Sequence, residues 1–169
     1  MENINLGFQE LVRLAGKALK EEDCLIGYQN FYYKERFLQY IMFRSLYLSL
    51  SPQQYLVEAE RECFDINIFK LPNKQNYAAL LEITCWRSVI GENEIPKIKG
   101  DIIKLKEKDC PGFIIICTVN PKDQTNENIE FLSKGLSLEN NAINYYTFSV
   151  NKEPNNEFII TLIALAPRM

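Results

Sequence analysis

The sequence predicts an α/β fold, in the broader α+β sense, built on a single mixed β-sheet flanked by helices. Three observations indicate it: helical periodicity in the N-terminal third, a change to a period of two, and a later continuous apolar segment that follows another helix. The predicted element order is α-α-β-β-β-α-β-α-β-β. We expect the 169 residues to form one domain, with a helical part at 1-50 packed on a sheet-containing core at 55-169.

Four helices are predicted from the spacing of apolar residues. Over Asn5–Asp23 these residues recur at intervals of three and four, and Gly27 ends the pattern. Phe31–Leu50 carries apolar side chains on more than one side, which indicates a largely covered helix. A third helix is predicted within Pro96–Asp109 and a short fourth one over Asn126–Leu136.

The strands are predicted from alternation and from the turn residues between them. The first of three meander strands alternates weakly, the second covers Cys63–Leu71 and the third covers Tyr77–Trp86. Phe113–Val119 is continuously apolar, so we expect a central strand buried on both faces. Ile143–Val150 and Glu157–Leu165 are predicted to form an antiparallel hairpin.

The composition excludes several kinds of catalytic chemistry. The chain has no histidine, which removes Ser-His-Asp and Cys-His catalysis and histidine-based zinc sites. Its five cysteines form no CxxC pair, so reduced and mostly buried thiols are expected rather than a zinc centre. The remaining chemistry must use carboxylates, lysine, tyrosine or cysteine, and carboxylates favour hard cations such as Mg²⁺ or Mn²⁺.

Charge and hydropathy patterns limit the partners and the location. The net charge of −3 argues against a broad nucleic-acid surface, although lysines do cluster within Pro96–Asp109. The nearly uncharged stretches are too short to span a membrane, and the N-terminus lacks the apolar region of a signal peptide. We therefore predict a cytoplasmic protein without a membrane partner.

A carboxylate in an otherwise apolar strand marks the candidate site. In "LLEITCWRS" (Leu80–Ser88), alternation places Glu82 and Thr84 on one face and Ile83 on the other. Asp65 stands among apolar neighbours in the preceding strand and can approach Glu82 if the two strands pair. Two buried carboxylates repel each other unless a positive group lies between them, which can be a divalent cation, a lysine or an arginine.

Asp65, the following turn and "LLEIT" resemble the motif of the PD-(D/E)xK nuclease superfamily, which has the restriction-endonuclease-like fold. The likeness covers Tyr33–Val119, about half of the chain. It includes "KERFLQYIMFRSL", which resembles the helix that precedes the strands in this family and offers Glu35 as the family's additional glutamate. The segment "IKGDIIKLKEKDCPGFIIICTV" resembles the helix and strand that follow the motif.

The resemblance implies Mg²⁺-dependent (or Mn²⁺-dependent) hydrolysis of phosphodiester bonds in DNA. Asp65 and Glu82 would bind the metal, together with the backbone carbonyl of Ile83. The sequence departs from the family at Thr84, where a lysine is expected. Some members take this lysine from a neighbouring element, and three residues are candidates for its role: Lys97, Lys104 and Arg87.

Other interpretations of the same residues stay open. Asp65 and Glu82 can instead pair with a basic residue at a sheet edge, for which the candidates are Arg61, Lys70 and Arg87. Glu35 can be a solvated helix residue, and the lysines after Pro96 can form a solvated helix face. The second functional hypothesis is a catalytically inactive nuclease-fold protein that serves as a binding or assembly module. It would act as a homodimer or with a protein partner or nucleic acid.

Overall fold

The predicted element order is confirmed in the computed structural model of the chain. The structure describes residues 4–27, 35–50, 55–61, 63–72, 77–86, 94–138 and 143–165. The helices are α1 (Ile4–Ile26), α2 (Glu35–Leu50), α3 (Glu94–Lys106) and α4 (Thr125–Leu136). The strands are β1 (Tyr55–Arg61), β2 (Phe64–Lys70), β3 (Tyr77–Trp86), β4 (Gly112–Pro121), β5 (Ile143–Ser149) and β6 (Asn156–Leu165).

The six strands form one mixed sheet in the order β1-β2-β3-β4-β6-β5. β1, β2 and β3 are antiparallel neighbours, as predicted for the meander. β4 runs parallel to β3, and a parallel pair requires a crossover, which α3 supplies. β6 pairs antiparallel with both β4 and β5, so the predicted C-terminal hairpin is also confirmed.

Two hydrophobic cores lie on opposite faces of the sheet. One core joins the sheet to α1 and α2, and the other joins it to α3 and α4. β4 contributes to both: Ile115 lies in the first core, and Ile114 and Ile116 lie in the second. The expectation of a central strand buried on both faces is therefore correct. α3 packs on the second core through Ile98 and Ile102, which follow the predicted helical spacing.

The described residues include all five cysteines. All five cysteines are free thiols, of which Cys85, Cys110 and Cys117 are buried. Burial raises the pKa of Cys110 to about 11, so this thiol stays protonated at neutral pH. Among the described residues, no helix is both long and apolar enough to span a membrane.

Substitution by alanine is expected to have opposite effects on stability at two glycines within helices. A Cβ at Gly16 in α1 would lie 2.3 Å from Cε2 of Phe148, whereas a Cβ at Gly100 in α3 would meet no atom within 4 Å. Gly16→Ala is expected to lower the free energy of unfolding by about 1–2 kcal/mol, because overpacking outweighs the gain in helix propensity. Gly100→Ala, the matched control, is expected to raise it by about 0.5–1 kcal/mol.

Urea titration of both variants and the parent protein measures these changes. Equal stabilisation by the two substitutions would contradict the close packing of α1 on the β5–β6 hairpin.

Candidate active site

Asp65 and Glu82 lie at the same end of the β2–β3 pair. The paired register of the two strands runs as far as Ile66 opposite Leu81. Beyond it, the backbone N–H of Ile83 donates a hydrogen bond of 2.7 Å to Oδ2 of Asp65. The carboxylate of Asp65 thus accepts a hydrogen bond from the residue that follows Glu82. This bond fixes a side chain of β2 to the backbone of β3.

The predicted alternation of β3 holds in the structure. Leu81, Ile83 and Cys85 belong to the core under α1 and α2. Glu82 and Thr84 point to the other face, where both contact side chains of α3. The sheet thereby presents a carboxylate and a hydroxyl to the lysines of the crossover helix.

Lys104 of α3 is the ion-pair partner of Glu82. Its Nζ also donates a hydrogen bond of 2.7 Å to the carbonyl of Cys63 and lies 3.7 Å from Oδ1 of Asp101. The same ammonium lies 4.9 Å from the centroid of the Phe64 ring. Four different groups therefore hold this cation against the candidate site.

Lys97, one helix turn from Asp101 on α3, reaches Thr84 of β3. Its Nζ donates a hydrogen bond of 3.3 Å to Oγ1 of Thr84 and forms an ion pair of 3.0 Å with Oε2 of Glu35. Glu35, at the start of α2, is half-buried rather than fully solvated. Lys97 therefore links the two helices on opposite faces of the sheet at the same end of β3.

α2 also supplies a partner for Asp65. Nε2 of Gln39 donates a hydrogen bond of 2.9 Å to Oδ1 of Asp65, so both carboxylate oxygens have a donor. These two bonds fix the orientation of the carboxylate. α2 thus contacts both parts of the site, through Glu35 at Lys97 and through Gln39 at Asp65.

Burial dominates the electrostatics of the three carboxyl groups. It raises the pKa of Glu82 to about 7, against the lowering effect of the hydrogen bond from Lys104, and the charge of Asp65 raises it further. Burial also raises the pKa of Asp65, which the hydrogen bond from Ile83 opposes. The pKa of Asp101 is raised by burial as well, and the neighbouring lysines lower it. The site is thus crowded with acids whose charged forms depend on Lys97 and Lys104.

Three basic residues are the alternative ion-pair partners that the sequence offers for Asp65 and Glu82: Arg61, Lys70 and Arg87. Arg87 lies outside the described residues, and so does the side chain of Arg61. Lys70 lies at the far end of β2 and is exposed. Lys97, Lys99 and Lys106 of α3 are exposed, as expected for a solvated helix face, whereas Lys104 is partly buried. Lys97 differs from Lys99 and Lys106 in its ion pair with Glu35.

Sequence reasoning missed Gln39 and Asp101. Helical spacing contains a signal for both, because Gln39 lies four residues after Glu35 and Asp101 lies between Lys97 and Lys104 at intervals of four and three. Each therefore shares a helix face with a residue already identified. The hydrogen bond from Lys104 to the Cys63 carbonyl has no counterpart in the sequence pattern.

Neither a group of metal ligands nor a related protein identifies this site. Within the described part of the chain, no group of three or more His, Cys, Asp or Glu side chains is placed to hold a metal ion. In the comparisons, no family model, no curated protein and no solved structure matches the chain.

Proposed function

We propose that this protein is a Mg²⁺- or Mn²⁺-dependent nuclease that hydrolyses phosphodiester bonds in DNA, with a site of the PD-(D/E)xK type. One observation carries the proposal. The ammonium of Lys97 lies 3.3 Å from the hydroxyl of Thr84, the position at which the motif has its lysine. A positive charge from α3 thus stands where a threonine alone would leave the site without one.

The residues present fit a Mg²⁺ ion. Mg²⁺ is commonly bound by one or two carboxylates, with waters and substrate phosphates as the other ligands, so it needs no cage of three acidic side chains. Asp65 and Glu82 would hold it, together with the backbone carbonyl of Ile83. When bound, the ion would polarise the phosphate and lower the pKa of a water.

The side chains around the carboxylates then have separate roles. Lys97 supplies positive charge for a phosphate oxygen, and Glu35 and Thr84 orient its ammonium. Gln39 and the N–H of Ile83 fix the carboxylate of Asp65. Lys104 stabilises the ionised form of Glu82 in its buried position.

A catalytically inactive binding or assembly module is the second candidate. The observation that favours it is that both carboxylates already have partners within the protein: Lys104 pairs with Glu82, and Asp65 accepts two hydrogen bonds. The acidic composition points the same way. In this case the protein would bind a second copy of itself or a protein partner and would not cleave DNA. For either function we propose a cytoplasmic location, where the five free thiols stay reduced.

Calorimetry with Mg²⁺ and Mn²⁺ separates the two candidates. The nuclease is expected to bind either ion saturably at millimolar concentration or below, and Glu82→Ala is expected to weaken this binding by at least about tenfold. Incubation of plasmid DNA with the protein, with either ion or with a chelator, then measures metal-dependent cleavage. Absence of metal binding at millimolar concentration, or cleavage that persists in Glu82→Ala, would remove the nuclease proposal.

A further inference from the structure

The outer face of α2 carries interleaved basic and aromatic side chains. Five residues share one side of the helix, because they follow one another mainly at intervals of three and four residues: Arg36, Tyr40, Phe43 and Tyr47, with Arg44 four residues after Tyr40. Both arginines are exposed, and 55% of Tyr40 and 46% of Tyr47 are accessible to solvent. The rings of Phe43 and Tyr47 have centroids 5.9 Å apart. We call this surface the α2 outer face.

A cavity connects the α2 outer face to the candidate site. It has a volume of about 290 Å³, close to the lower limit of about 300 Å³ for small-ligand pockets. Its lining includes Arg36, Tyr40 and Phe43 of the α2 outer face, and Asp65 of the candidate site. The α2 outer face and Asp65 therefore border the same cavity.

The lining of the cavity is mainly apolar, which suits a base better than a phosphate. Glu60 lines it from β1, and a carboxylate repels phosphates but accepts a hydrogen bond from the amino group of a base. The backbone of Glu60 has a φ of 51°, a left-handed conformation that costs energy for a non-glycine residue and is frequent at functional sites. Arg36, at the same cavity, is suited to an adjoining phosphate.

The distances along the helix suit a single strand. Arg36 and Arg44 are eight residues apart, about 12 Å along the helix axis, or roughly three stacked nucleotides. Proteins that bind single strands combine such basic side chains with rings on which the bases stack. A duplex keeps its bases paired and stacked inside, so it offers none to the rings or to the cavity.

We propose that the substrate is a single-stranded nucleic acid that runs along the α2 outer face and places one unpaired base in the cavity beside Asp65. This inference rests on the proposed function and specifies its substrate. The backbone next to that base would then lie between Arg36 and Lys97, at the candidate active site.

Binding is measured by fluorescence anisotropy on Glu82→Gln protein in chelator, so that neither metal nor cleavage enters the result. The probes are a labelled, mixed-sequence single-stranded DNA, the RNA of the same sequence and the corresponding DNA duplex. We expect both single strands to bind more tightly than the duplex, and the tighter of the two identifies the preferred sugar.

Substitutions on the α2 outer face test the stacking. Tyr40→Ala and Tyr47→Ala are each expected to weaken single-strand binding by about fivefold to about a hundredfold, whereas Tyr40→Phe keeps the ring and the affinity. Tyr145→Ala is the matched control, because Tyr145 is 41% exposed but lies on β5. This strand is at the other edge of the sheet from β1, which lines the cavity. Arg36→Gln is expected to reduce the slope of log affinity against log salt by about 0.7 for one lost phosphate contact.

The outcomes separate this inference from the proposed function. Single-strand binding that Tyr40→Ala leaves unchanged would overturn the inference, as would tighter binding of the duplex, even if the protein cleaves duplex DNA. Sedimentation at the same concentrations detects a dimer. A dimer that Tyr40→Ala dissociates without any loss of binding would assign the α2 outer face to a second copy and would also overturn it. Ring-dependent binding by a protein that never cleaves would support the single-strand site on the α2 outer face, with the strand as a ligand, and would remove the nuclease.

Discussion

If the protein is the proposed nuclease, Lys97→Ala is expected to lower the rate of metal-dependent DNA cleavage by about 10²- to 10³-fold, the usual effect of removing one charge-stabilising group from an active site. The ammonium of Lys97 is the positive group at Thr84, and alanine leaves that position with a hydroxyl alone. The variant should fold normally, because 49% of the Lys97 side chain is exposed and such ion pairs contribute about 0–1 kcal/mol. Single-turnover cleavage with Mg²⁺ measures the change.

A double variant with a lysine on β3 tests whether the loss of rate comes from the missing positive charge. Thr84→Lys in the Lys97→Ala protein is expected to regain most of the lost rate, because residue 84 points to the space that the Lys97 side chain vacates. Lys99→Ala is the matched control, since Lys99 is exposed on the same helix, and its rate should equal that of the parent protein. If Lys97→Ala cleaves as fast as Lys99→Ala, the assignment of the motif charge to Lys97 is wrong.

The faces of β3 could be predicted from the sequence because the side-chain period of a strand is fixed at two. That period alone places Glu82 and Thr84 on one side and Ile83 on the other, whatever packs against the strand. The short connection between β2 and β3 also restricts their pairing to an antiparallel hairpin, so the end at which Asp65 lies was predictable.

The choice of lysine could not be predicted in the same way. Lys97 and Lys104 lie 13 and 22 residues beyond Thr84 and Glu82, on a helix whose rotation over the sheet depends on how Ile98 and Ile102 pack. Sequence spacing contains no measure of that rotation. The structure assigns Lys97 to Thr84 and Lys104 to Glu82, which sequence reasoning had left undecided. Membership of the nuclease superfamily stays a prediction, as does the division into 1-50 and 55-169.

The free energy of unfolding is expected to fall as pH rises from about 4.5 to about 7, because of Glu82. Burial raises the pKa of this carboxyl to about 7 in the folded state, from its ordinary value of 4.5 in the unfolded chain. Between these values the folded protein holds a proton that the unfolded chain has released, so each increase in pH favours unfolding. Glu82 is only 6% exposed, so solvent screens it little, and the shift corresponds to roughly 3 kcal/mol. Asp65 and Asp101 act in the same direction.

Glu82→Gln isolates this effect from the titration of the other acids. The stability of the variant minus that of the parent protein, measured by urea titration in chelator, is expected to rise from pH 4.5 to about pH 7 and then to level off. Glu130→Gln is the control: Glu130 is exposed and its hydrogen bond from Lys134 lowers its pKa, so its difference curve should be flat or fall slightly. A flat curve for Glu82→Gln would mean that Lys104 keeps Glu82 ionised throughout this range. The carboxylate would then need no further cation to offset its burial, which would weaken the case for a metal at Asp65 and Glu82.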